Sequence, residues 1–128
     1  MSSYDEFYCQ IYIDVEFDKH AYGEVRDFVA DLTGGEKLPD GGCLTDFCLI
    51  NVDYNDNYND KYSRWRKMFR GNFLYFKFYL EIDPLPELPL DEYIAGIKKL
   101  LARLKAAGVR AVPVCDFEDE LGVSWRDV

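Results

Sequence analysis

Residues 73–83 read F-L-Y-F-K-F-Y-L-E-I-D. Leu74, Phe76, Phe78, Leu80 and Ile82 share one parity and are all apolar. Phe73, Tyr75, Lys77, Tyr79, Glu81 and Asp83 share the other parity and are aromatic or charged. Successive side chains of a strand point to opposite faces, so the pattern predicts a half-buried strand long enough to cross a sheet. One face must be covered by an apolar layer; the other meets water or a partner.

The rest of the chain supplies such a layer. Residues 8–17 alternate in the same way, with Cys9, Ile11, Ile13, Val15 and Phe17 on one face and Tyr8, Gln10, Tyr12, Asp14 and Glu16 on the other. Asp18 stands where an N-cap belongs, and Tyr22, Val25, Phe28, Val29 and Leu32 recur at helical spacing. His20 falls in the first turn of that helix, a place for a solvent-facing or locally bonded side chain. Gly34-Gly35 is the expected stop, because glycine accepts the left-handed conformation there. Residues 37–42 read as a loop, and 43–54 as a second strand with Cys48, Ile50 and Val52 on one parity. A short helix follows, on which Tyr62, Trp65 and Phe69 share a face amid Lys61, Arg64, Arg66, Lys67 and Arg70. Beyond the 73–83 strand, Pro84, Pro86 and Pro89 predict a stiff extended connector. Asp91-Glu92 opens a second long helix with the stripe Tyr93, Ile94, Ile97, Leu100, Leu101 and Leu104, closed by Gly108. Residues 109–115 form a last strand whose Pro113 points to a sheet edge, and 116–122 an acidic turn or short helix.

One-sided strands and two amphipathic helices fit an α+β two-layer sandwich over residues 1–128 as a single domain. The order predicts a ferredoxin-like β-α-β-β-α-β arrangement with a four-stranded antiparallel sheet and a short extra helix before the third strand. Its first and third strands would be central. The face away from the helices would then display Tyr8, Tyr12, Phe73, Tyr75 and Tyr79, framed by Asp14, Glu16, Asp53 and Glu81. Such aromatics mark a partner surface, a dimer surface or a base-stacking platform, or else stabilise the sheet as cross-strand pairs.

Charge separates these options. The chain carries a net −9, spread as −11 over residues 1–60, +6 over 61–80 and −4 over 81–128. Such a field repels nucleic acid and attracts a basic partner, although acidity also serves solubility. An RNA-recognition module would want an aromatic at Asn72, a small residue at Phe73 and an aromatic at Leu74 behind Arg70-Gly71. No nucleic-acid partner is therefore expected. No apolar run approaches the ~18 residues of a membrane span, and the N-terminus lacks a signal-peptide pattern, so no membrane partner is expected and the location reads as cytoplasmic.

Chemistry is sparse. There is no nucleophile motif, no glycine-rich phosphate loop and only one histidine. An enzyme reading would need a perturbed carboxylate pair in a closed pocket. Asp53, Asn55 and Asn57 match the first ligands of an EF-hand loop, but Tyr58 occupies the glycine position and Arg64 the twelfth. Cys9, Cys43, Cys48 and Cys115 contain no C-x-x-C pair and read as reduced thiols, with Cys9 and Cys115 neighbours if their strands pair. No metal, cofactor or catalytic residue is expected.

The 73–83 stretch together with V-C-D-F-E-D-E-L-G at 114–122 resembles small bacterial proteins of the polymorphic-toxin immunity type. The resemblance implies a non-catalytic inhibitor that binds one cognate protein toxin in the cytosol and occludes its active site. A basic toxin would suit the acidic surface and its tyrosines. Three contact patches are expected: Asp116, Glu118, Asp119 and Glu120; Tyr54, Asp56 and Tyr58; and Tyr75 with Tyr79. The basic stretch 61–70 departs from a uniformly acidic surface and would meet acid on the partner or on a second copy. The alternative is a homodimeric structural or small-ligand-binding ferredoxin-like domain.

Overall fold

The alternating stretches do become strands, and the two apolar stripes become helices laid on one side of them. The computed structural model describes residues 8–15, 22–55, 76–115 and 117–121, with the side chains of Tyr22, Glu118 and Asp119 outside that description. In chain order the elements are β1 (Cys9–Asp14), α1 (Tyr22–Thr33), β2 (Glu36–Lys37), β3 (Cys43–Leu44), β4 (Cys48–Tyr54), β5 (Phe78–Pro84), α2 (Leu90–Ala106), β6 (Arg110–Cys115) and α3 (Glu118–Leu121). The strands form one antiparallel sheet ordered β2-β3-β4-β5-β1-β6. The architecture is thus α+β, with six strands among the described residues rather than four.

The two extra strands come from segments read as a loop and as a single second strand. Thr45 breaks 43–54 in two. Its hydroxyl oxygen accepts from the amides of Phe47 (3.2 Å) and Cys48 (3.0 Å), and donates to the Cys48 carbonyl (3.0 Å). This local bonding offers the backbone a reversal in place of a continued ladder. β3 then folds back on β4, with Cys43 opposite Ile50, and β2 pairs outside β3. The proline connector also differs from expectation. Pro84 ends β5, and the chain turns at Glu87, whose φ is 65°, with the Leu88 amide bonded to the Leu85 carbonyl at 3.3 Å.

Two backbone bonds fix the ladder phase. The amides of Asn55 and Leu85 donate to the carbonyls of Lys77 (2.8 Å) and Phe47 (3.2 Å). Hydrogen-bonded pairs alternate along an antiparallel ladder, so the odd residues of β5 face β4 and the even ones face β1. Carried through the register, the even residues of β1 and β6 bond each other and the odd residues of β6 point outward. Pro113 therefore turns its missing donor away from β1, on the side where β6 has no strand partner among the described residues.

The core lies between the sheet and the helices. Cys9, Ile11 and Ile13, then Cys48 and Ile50, then Phe78, Leu80 and Ile82 face Val25 and Val29 of α1. All six stripe residues of α2 are buried in the same cluster. Gly34 and Gly108, at φ 70° and 79°, end the helices as expected of left-handed stops. Arg103, off the apolar stripe of α2, donates to the Leu32 carbonyl at 3.3 Å near the C-terminus of α1. Phe117 and Leu121 close one end of the core, with the Phe117 ring 5.7 Å from Tyr93. The Tyr93 hydroxyl donates to the Ile82 carbonyl at 3.0 Å.

Candidate functional site

The face away from the helices is built by the parity that the core does not use. Across β4, β5, β1 and β6 the register aligns Asp53, Tyr79, Tyr12 and Val112 in one row, and Asn51, Glu81, Gln10 and Val114 in the next. The rings of Tyr12 and Tyr79 lie 5.3 Å apart at 30°. Gln10 donates to the Tyr8 hydroxyl at 3.0 Å. Tyr8, Tyr12 and Tyr79 are half-buried, a modest correction to an uncovered face. Val112 goes further and is fully buried there, outside the main core cluster. Phe76 is also fully buried outside that cluster, with the Arg110 guanidinium 5.0 Å above its ring. Lys77, expected on the polar face, is buried.

Electrostatics distinguish this face from an ordinary sheet surface. Glu81 lies beside Asp53 and Tyr8, both of which act on its carboxyl. Burial, then the charge of Asp53, hold its carboxyl above the usual range. Burial pushes the Tyr79 hydroxyl up to about 12, helped by Asp53 and Glu81. Tyr8 and Tyr12 are raised as well, chiefly by burial. Among the described residues the ion pairs are Lys37–Asp27 at 2.9 Å and Arg110–Asp14 at 3.6 Å, and neither reaches Asp53, Glu81 or Asp83. No ion pair among the described residues bridges these carboxylates.

A cleft of about 480 Å³ opens beside this cluster, lined by Arg26, Asp40, Asn51, Asp53 and Glu81. Gly41, at φ 102°, and Gly42, close against Leu49 and Asn51, let the loop approach β4. The buried Nε of Arg26 finds no hydrogen-bond partner among the described residues. Sequence reading missed Arg26, Asp40 and Asn51. The only signal was the Gly41-Gly42 pair, which marks a close approach without naming what is approached. Glu81 is the carboxyl of this cleft that is raised, and the cleft around it opens to solvent.

Of the expected contact residues, Tyr79 sits at the centre of this face. Tyr54 belongs to the other side, packing its ring edge-on against Phe78 at 5.5 Å. Glu120 is exposed on α3, where Glu118 and Asp119 also lie. Asp56, Tyr58, Tyr75 and Asp116 are outside the described residues, as are Glu16, Asp18, His20, Phe73 and the basic stretch 61–70. The described residues bring together Tyr79, Asp53 and Glu81, and set Tyr54 apart from them. No group of three or more His, Cys, Asp or Glu side chains among the described residues is placed to hold a metal ion. No described helix is long and apolar enough to cross a membrane. No family model, curated protein or solved structure matches this chain.

Proposed function

We propose that this chain is a non-catalytic inhibitor of the immunity type, which binds a basic protein toxin in the cytoplasm and occludes its active site. One observation carries the reading: Asp53 crowds Glu81 beside the Tyr12–Tyr79 pair, and no ion pair among the described residues reaches either carboxylate. Crowded carboxylates resist ionisation, and a lysine or arginine from a partner would relieve that cost while the tyrosines supply contact area at low entropic expense. Asn51 and the cleft beside β4 offer further polar contacts for such a side chain. The four longer strands, β4-β5-β1-β6, support a ferredoxin-like core in which the β2–β3 hairpin is an addition at one edge.

The test is co-expression with the product of the reading frame that neighbours the gene, scored by host survival and by co-purification. Rescue with a stable one-to-one complex is the expected result. Glu81→Lys should abolish both rescue and complex while the far-ultraviolet circular dichroism stays unchanged. No rescue and no complex with the unaltered chain would overturn the reading.

A further inference from the structure

Cys9 and Cys115 stand directly opposite each other on β1 and β6. The ladder phase makes this a non-hydrogen-bonded pair, since the even residues of both strands carry the bonds between them. Directly opposed residues of that kind have Cα atoms about 4.5 Å apart and side chains drawn toward one another. A disulfide accepts Cα separations of roughly 4.4–6.8 Å, so the two backbones already stand within bonding range. Both side chains share the core-facing parity, and neither cysteine is in a disulfide. Cys9 is fully buried, whereas Cys115 is only half-buried at the end of β6 and is the more accessible of the two. Neither remaining cysteine has this arrangement: Cys43 faces Ile50 and Cys48 faces Pro84.

We propose that Cys9 and Cys115 form a reversible thiol–disulfide pair, oxidised by a low-molecular-weight disulfide such as oxidised glutathione. The Cys115 thiolate attacks one sulfur of the glutathione disulfide, whose S–S bond breaks to release one glutathione thiolate. The Cys9 thiolate then attacks the Cys115 sulfur of the mixed disulfide and expels the second glutathione. Two protein thiols are oxidised, one glutathione disulfide is reduced to two glutathione thiols, and the two protons leave with them. Among the described residues β6 pairs with β1 alone, and Cys115 is its last residue. Oxidation therefore ties the loose end of the sheet, just before Phe117 and α3 enter the core.

The experiment treats the reduced full chain with oxidised glutathione, blocks remaining thiols, and maps peptides without reduction. A single Cys9–Cys115 crosslink is expected, with Cys43 and Cys48 still alkylatable; burial holds the Cys48 thiol up at about 12 and raises that of Cys43. Because the bridge closes nearly the whole chain into a loop, the thermal midpoint should rise by at least about 5 °C. Amide exchange along β6 should slow at least tenfold. Cys115→Ser should keep its fold and lose the crosslink. A Cys43–Cys48 bridge, a stable glutathione adduct on Cys115 with Cys9 free, or no reaction would each overturn the proposal. The peptide map of the unaltered chain decides alone if the variant does not fold.

Discussion

Gly96 lies in the middle of α2, where helix propensity alone says that alanine should stabilise by about 1 kcal/mol. The packing says the opposite. A Cβ built on Gly96 would lie 2.4 Å from Cδ2 and 2.6 Å from Cγ of Phe47. Carbon atoms in contact prefer about 3.5–4.0 Å, so the ring must retreat by more than about 1 Å. Turning the ring about its own axis leaves Cγ in place and gives no relief. Phe47 must swing away, losing its contact with Tyr93, whose ring centre is 6.3 Å off. Such a pair is worth about 0.5–1.5 kcal/mol, and re-exposing a partly buried ring costs about 1–2 kcal/mol more. Against the propensity gain, Gly96→Ala should destabilise by roughly 1–2 kcal/mol and lower the thermal midpoint by ~3–8 °C. Gly23, in the first turn of α1, is the control, since its added Cβ would meet nothing within 4 Å. Gly23→Ala should therefore stabilise by about 0.5 kcal/mol. In a Phe47→Ala background, Gly96→Ala should change sign and become stabilising. Thermal and urea unfolding of the five chains give the comparison. If Gly96→Ala raises the midpoint as much as Gly23→Ala does, the close approach of Phe47 to α2 is refuted.

Other outcomes follow from the same contacts. Thr45→Val keeps the shape but strips the acceptor from two amides, so urea unfolding should show a loss of about 1–3 kcal/mol. Glu81 is raised on folding, so the stability linked to it is complete below the unfolded value of about 4.3 and is lost as pH rises through the folded one. The advantage of Glu81→Gln over the unaltered chain should accordingly widen between pH 4 and pH 7 in thermal melts; a constant gap would refute the crowding of Asp53 and Glu81. Reversing Glu118 and Asp119 to lysine should weaken association with a basic partner and flatten its salt dependence, with unfolding nearly unchanged. Unchanged affinity in calorimetry would remove α3 from the contact surface.

What could be read from the chain was what depends on near neighbours. The parity of β1 and β5 gave their buried faces residue by residue. The spacing of Tyr93, Ile94, Ile97, Leu100, Leu101 and Leu104 gave the whole buried stripe of α2, and Gly34 and Gly108 gave the stops of α1 and α2. Pro113 marked an edge strand because a missing donor is tolerable only there. These signals are local and repeat with the period of the backbone.

The tertiary structure decided what depends on residues far apart in sequence. The Thr45 hydroxyl turned one expected strand into two, since a side chain that satisfies nearby amides leaves no trace in an alternation of apolar residues. Val112 was free to be counted as solvent-facing by parity, yet it is fully buried. The cleft gathers Arg26, Asp40, Asn51, Asp53 and Glu81 from α1, a loop and two strands, and no spacing rule joins them. Whether Asp53 and Glu81 crowd one another depends on the register of β4 against β5, as the opposition of Cys9 and Cys115 depends on that of β1 against β6. Register is a property of two strands together, and a shift of one residue would send every one of these side chains to the other face.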